Sequence, residues 1–406
     1  MRYIYLLVIV VFSFSCKDTN QSPQLEAGVT YRAILEVQDN KELPFLFHVN
    51  SVNKLQVFNG EEIIEVDEVT YNNDSIFIKL PVFEGYLAAK FVDKNLKGSF
   101  IKESLDRVVP FSAEYNNDVR FPENKVRPPE PVDGTWEVVF SKGIEDDEYI
   151  AKGIFEQTDH FVSGTFRTTT GDYRYLEGIM DGNIMKLSAF DGAHAFLFTA
   201  KVSDSTMQGH FYSGNHWKEP FEAIRNDNYE LPHEDTLTYL NEGYNAFTFS
   251  FPDVNSNLVS LNDERFNDKV VLVQIMGTWC PNCLDESKYY VSQYKALKDK
   301  GVEIVALAFE YAKTKEKAFN SIKRLQDKIG IEYPVLLAQY GTSNKQKAQE
   351  KLPMLNHVLS YPTTVYIDKK GQVRKIHTGF NGPATGEKYV SFQEEFNAFI
   401  NTLSAE

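Results

Sequence analysis

Val270-Val271-Leu272-Val273-Gln274-Ile275-Met276-Gly277-Thr278-Trp279-Cys280-Pro281-Asn282-Cys283 is the stretch on which the reading of this chain turns. Its first seven residues are apolar except for one glutamine, the pattern of a strand buried on both faces. Two cysteines separated by two residues follow at once. A strand that delivers such a pair to the start of a helix is built for thiol chemistry, because the free peptide N–H groups of the first turn point at the first sulfur and favour thiolate over thiol. The helix is expected to continue to about Lys298, with Cys283 facing inward beneath Cys280.

Downstream, strand and helix alternate as in an α/β domain. Val302 to Phe309 reads as a strand, Lys313 to Gly330 as a helix and Tyr333 to Leu337 as a second strand. Residues 340–358, rich in Lys, Gln and Glu, read as an extra helix. Thr364 to Asp368, a Lys369-Lys370-Gly371-Gln372 turn and Val373 to Ile376 form a hairpin, and a closing helix starts near Glu387. Before the hairpin, Ser360-Tyr361-Pro362-Thr363-Thr364 sets a proline at the head of a central strand, where it cannot donate to the ladder.

Residues of about 246–406 resemble the TlpA/ResA group of thioredoxin-like, membrane-tethered thiol-disulfide reductases. Phe251-Pro252-Asp253, Lys269 to Val273, Gly277-Thr278-Trp279-Cys280, Glu286 and Pro362 to Asp368 carry the resemblance. It implies a catalytic set of Cys280, Cys283, Glu286 and Pro362, the last as a cis-proline against the dithiol, and a substrate groove formed by Trp279, Pro281, Tyr361 and Thr363. Thioredoxin keeps a buried Asp at the place of Gln274, which cannot shuttle a proton, and in this group Glu286 takes that task. At i,i+3 from Cys283 it lies on the same helical face; a carboxyl desolvated there has a raised pKa and can accept the Cys283 proton.

The chemistry then expected is attack of Cys280 on a client disulfide, followed by resolution of the mixed disulfide by Cys283, leaving a Cys280-Cys283 disulfide. The partners implied are client proteins with disulfides and an upstream membrane thiol-disulfide electron donor. No cofactor and no metal is expected. The chain departs from the group in its Pro281-Asn282 middle pair, since relatives commonly place Pro second, and in the bulky Tyr361 before the proline.

At the other end, Met1 and Arg2 precede an apolar stretch from Tyr3 to Phe14, the length of a signal-peptide core and too short to span a bilayer comfortably. Ser13-Phe14-Ser15-Cys16 resembles a bacterial lipobox, with Ser13 where Leu is usual. Cys16 is therefore expected to be lipidated and to tie the chain to a lipid membrane facing the periplasm. Residues 1–15 are read as the signal peptide and 16–25 as a polar tether.

Between tether and redox domain the pattern changes to short alternating runs broken by Gly, Asn and Asp, an all-β reading. The segment repeats itself: Lys79 to Gly85 parallels Lys186 to Gly192, Gly98-Ser99-Phe100 parallels Gly209-His210-Phe211, and Pro110-Phe111 parallels Pro220-Phe221. Two modules follow, 26–121 and 132–227, joined by a stiff linker at Pro128-Pro129-Glu130-Pro131. Gly134-Thr135-Trp136 is similar to the opening of lipocalin-like barrels, and a Trp at that point plugs one end of a β core. The expected fold is thus multidomain: N-terminal all-β tandem modules, then a C-terminal α/β thioredoxin-like domain. The modules carry no evident catalytic group, and their histidines (His160, His194, His210, His216) look scattered, so a positioning, dimerising or partner-binding role is left to them.

Charge and cysteine usage narrow the function classes. A formal charge of −15 with no basic cluster excludes nucleic acid as a partner. The three cysteines leave none for a structural disulfide, and so short a loop as 280–283 would remove little unfolded-state entropy. A zinc site lacks its second ligand pair, and haem attachment lacks a His after Cys283, where Leu284 stands. The alternatives are a binding or scaffold lipoprotein with a secondary redox domain and a peroxiredoxin-like antioxidant; for the latter, Gly277 stands where the peroxiredoxin signature needs Thr.

Overall fold

A computed structural model describes residues 22–122 and 130–406. The expected signal peptide at 1–15, Cys16, most of the expected tether and Pro128-Pro129 of the linker lie outside the described residues. Among the described residues no helix is long and apolar enough to cross a membrane.

The first β unit is a meander of nine antiparallel strands, from Thr30–Glu36 to Arg107–Tyr115, whose first and last strands pair. The ring stays open between Glu62–Val66 and Glu68–Asn72. In the second unit Tyr149–Thr158 pairs with both Gly134–Phe140 and Phe161–Thr168, which closes the sheet into a barrel and leaves only the two-residue strand Gly171–Asp172 as an edge. Trp136, Phe140, Phe166 and Phe198 fill its interior without exposure, so it is a packed core and not a lumen. Trp136 plugs one end, its indole N–H donating to Val132 O at 2.8 Å.

The internal repeat survives as strand register. Gly98 faces Phe111 and Ser99 faces Pro110 in the first unit; Gly209 faces Phe221 and His210 faces Pro220 in the second. Both glycines are fixed by close approach: a Cβ at Gly98 would lie 2.0 Å from Ala88 O, and one at Gly209 2.2 Å from Thr199 O.

The two units are not spaced apart as a stiff linker suggests. Phe190 of the second unit stacks on Phe45 of the first at 4.2 Å, inside one shared apolar cluster. Arg120, buried, donates to Ser188 Oγ across the same seam at 3.1 Å.

The third unit has a five-stranded sheet in the order Val335–Gln339, Val302–Phe309, Val270–Met276, Thr363–Ile367, Val373–Thr378. The first three strands are parallel, Thr363–Ile367 runs antiparallel to them, and Val373–Thr378 runs antiparallel to Thr363–Ile367. All seven residues of Val270–Met276 are buried, as a central strand covered by helices on both faces requires. Helices Pro281–Asp299, Lys315–Ile329 and Glu387–Ala405 run close to their expected spans.

The extra helix expected over 340–358 shrinks to Lys345–Lys351. Asn344 caps its start by accepting from Lys347 N, and Pro353 excludes Leu352 from helical geometry, so the rest is irregular chain. The polar stretch before the redox unit also packs against it: Leu240 bridges Leu355, and Asp235 Oδ1 meets His377 Nδ1 at 2.7 Å.

Candidate active site

Cys280 is the N-cap of helix Pro281–Asp299, where Pro281 occupies the first turn. Its sulfur accepts from Cys283 N at 3.2 Å and lies 3.3 Å from Tyr361 O. Both cysteines are free thiols. Cys280 is 7% exposed and Cys283 not at all, so only the first sulfur meets a client. Burial pushes the Cys283 thiol well up, with the neighbouring Cys280 adding to it.

One turn further along the helix, Glu286 is wholly buried. Strand register explains its surroundings. Gln274 and Thr364 are directly paired, and both reach the carboxylate: Gln274 Nε2 donates to Oε2 at 2.7 Å and Thr364 Oγ1 to Oε1 at 2.9 Å. Tyr290 OH donates to Oε1 at 3.1 Å. Burial nonetheless outweighs these bonds and raises the Glu286 pKa.

The Tyr361–Pro362 peptide is cis. Trp279, Cys280, Pro281 and Tyr361 line an open-sided cleft of about 910 Å³. Thr363, expected in the groove, is not part of that lining. Its hydroxyl donates to Ser360 O at 3.0 Å and its side chain is buried, because the strand it opens belongs to the sheet interior. Trp279 is anchored by its indole N–H to Phe309 O at 2.9 Å and packs edge-on against Tyr361.

Sequence reasoning missed the other wall. The closed barrel's loop 168–174 lies against the dithiol. Asn282 Nδ2 donates to Asp172 O at 3.0 Å, and Ser360 Oγ, on the loop before the cis-proline, donates to Thr170 O at 2.7 Å. Arg174, buried, donates to Pro281 O at 3.3 Å and pairs with Asp285, Glu62 and Asp191, so it touches all three units. Burial lifts the Asp172 pKa to about 6. His194 and His216, which look scattered in sequence, both line the cleft; burial, then Arg107 and Lys102, hold His216 down at about 4. Thr168 to Arg174 reads only as a polar turn between strands, and nothing in it announces a contact with residues over a hundred positions away.

Glu310 was also missed. It is buried and accepts from Thr278 N at 2.8 Å and Thr278 Oγ1 at 2.7 Å, which fixes the turn that presents Trp279 and Cys280. Burial raises its pKa to about 7.

Comparison with known proteins gives matches on the redox unit. Residues 241–390 match the Redoxin family. The thiol-disulfide oxidoreductase ResA of Bacillus subtilis is 32% identical over 142 residues, 34% of this chain and 69% of that protein. The thioredoxin-like protein YneN of the same organism is 29% identical, over 34% of this chain and 73% of that one. Among solved structures, a thiol:disulfide interchange protein DsbE from Chlorobium tepidum aligns at 21% identity and a TM-score of 0.30, covering 40% of this chain and 99% of its own.

Proposed function

The chain belongs to the ResA-type thiol-disulfide oxidoreductases, and from that premise we propose that it reduces client disulfides in the cell envelope through the Cys280-Pro-Asn-Cys283 dithiol. The Cys280 thiolate attacks one client sulfur, the client S–S bond breaks, and a mixed disulfide and a client thiolate form. Glu286 takes the Cys283 proton, and the resulting thiolate attacks Cys280 Sγ, displacing the client sulfur bonded to it as the second client thiolate. Two electrons pass to the client and the Cys280-Cys283 disulfide remains. An upstream membrane thiol-disulfide donor returns it to the dithiol.

One observation carries this reading: a single accessible sulfur stands in front of a second that is wholly buried beside a desolvated carboxyl. Trp279, Pro281 and Tyr361 shape the client approach in the same proposal, and Pro362 follows Tyr361 across the cis peptide without itself lining the cleft. Lipidation of Cys16 would hold the chain at the periplasmic face of a membrane, and the signal-peptide pattern of 1–15 supports that placement. The domain bounds at 26–121, 132–227 and 246–406 go with it, the first two as the scaffold of the third.

The test is the reduction potential of the Cys280/Cys283 couple, measured on the full chain in dithiothreitol or glutathione buffers and followed by the redox-dependent change in tryptophan fluorescence. A value near about −270 mV supports a reductase that needs a donor, whereas one near about −120 mV makes the protein an oxidant. Cys280→Ser is expected to abolish turnover in either direction.

A further inference from the structure

Most of the wall facing Cys280 belongs to the closed barrel and not to the redox unit. Loop 168–173, Phe196, Ser213, His216 and Trp217 line one side of the cleft, while Trp279 to Asn282 and Leu359 to Tyr361 line the other. The two sides are held in fixed relation, because one barrel loop bonds both the dithiol motif, through Asn282, and the cis-proline loop, through Ser360. Gly171 makes this approach possible: a Cβ there would stand 2.2 Å from Asn282 Nδ2. Phe166, Phe198 and Phe211 pack the barrel beneath, so the cleft is a groove across the mouth with a closed floor.

We propose that this barrel rim is half of the client-binding site, and that it takes an extended polypeptide segment carrying the disulfide. The proposal rests on the reductase reading above. Access to the nucleophile argues for the rim as a binding surface: Cys280 is 7% exposed, and it opens into this cleft. Shape argues for the occupant. A folded partner presents a face of roughly 800 Å², which cannot enter between the two walls to meet a sulfur that is 7% exposed. A cleft of about 910 Å³ instead has the size, about 300–1,000 Å³, of sites that take a drug-sized ligand, and its open side lets a chain pass through.

Chemistry argues for the same occupant. Trp217 is 41% exposed at the rim, the kind of large ring that dominates binding once a partner covers it. Asp146 and Asp147 of the barrel, Arg107 of the first β unit and Lys345 of the redox unit give the cleft charge of both signs, suited to a peptide's mixed side chains. The electron balance is that of the reductase cycle, and the rim supplies binding only.

The experiment compares two disulfides on the full chain: hydroxyethyl disulfide, which reaches only the sulfur, and a short flexible peptide with one internal disulfide. Trp217→Ala is expected to lower the peptide's kcat/KM relative to that of hydroxyethyl disulfide by roughly tenfold or more. A Cys283→Ser variant trapped as the mixed disulfide with the peptide is expected to slow amide exchange over 168–173 and 213–217. An unchanged ratio together with unchanged exchange in those segments would overturn the proposal. Failure of the unmodified chain to reduce even hydroxyethyl disulfide would overturn the reductase reading, and this one with it.

Discussion

Glu286 is the residue on which the resolving half of the reaction depends in this proposal. Three donors, from Gln274, Thr364 and Tyr290, favour its charged form, while complete burial disfavours it and prevails. A carboxyl with a raised pKa is protonated over a wider range and accepts a proton from Cys283 only once pH has risen through that value. Release of the second client thiol should therefore accelerate with pH across that limb. Glu286→Gln should flatten the limb and slow the step about 10²-fold or more, read by single-turnover kinetics across pH. Stability carries the opposite sign. The folded chain binds this proton more tightly than the unfolded one, so stability falls as pH rises from the ordinary carboxylate value through the raised one. Glu286→Gln removes that slope, because an amide does not titrate, and the Gln274 amide can rotate to accept from the new one. Glu286 was legible in sequence through its spacing from Cys283 and its family likeness. Glu310 and Arg174 were not, since an isolated charged residue in a strand end or a turn does not disclose that it is buried.

At the scale of elements, the helix carrying the dithiol and the barrel loop 168–174 form one device. The helix start was readable, because a buried strand followed by Cys-x-x-Cys is a local pattern. Its partner was not, because Thr168-Thr169-Thr170-Gly171-Asp172 has only the chemistry of a turn. Gly171, at φ +137, combines a backbone conformation that L-residues rarely adopt with a side-chain position already occupied by Asn282. Gly171→Ala should push the loop off the motif and destabilise the chain by about 1–3 kcal/mol. Exchange of the Asn282 to Asp285 amides should speed up while the strands of the barrel core keep their protection, a pattern that amide exchange mass spectrometry resolves. Equal loosening throughout the barrel would mean that the glycine serves the barrel alone.

Across the whole molecule, the first β unit also rests on the redox unit, through helix Lys315–Ile329. Arg324 pairs with Glu68 at 2.7 Å, and Lys328 with Asp67 and Glu68 at 3.0 Å each. Partial burial alone would raise the Glu68 pKa, but bonds from Arg324 and Lys328 outweigh it and bring it down to about 2. A depressed carboxylate contributes stability that is present above its unfolded value and is lost as pH falls toward the folded one. Acidification from about pH 4.3 toward about pH 2 should thus release this contact, seen as faster exchange in Glu68–Asn72 and along Lys315–Ile329. Glu68→Gln should remove that pH dependence and leave both segments exchanging faster at neutral pH, and an unchanged acid limb would show that other groups hold the seam.

The sequence by itself determined the parts that depend on neighbours along the chain: the buried strand feeding the dithiol, the proline before Thr363, the alternating β runs and their repeat. Periodicity and spacing record which face of an element is apolar and which residues share a turn, and those are local quantities. Only the tertiary structure decided that the two β units share a core across Phe45 and Phe190, that one closes into a barrel, and that its rim faces Cys280. Those outcomes rest on surface complementarity between residues far apart in sequence, such as Thr170 with Ser360 and Asp172 with Asn282. The bonds at both pairs are made by backbone carbonyls, which every residue carries and no sequence pattern distinguishes.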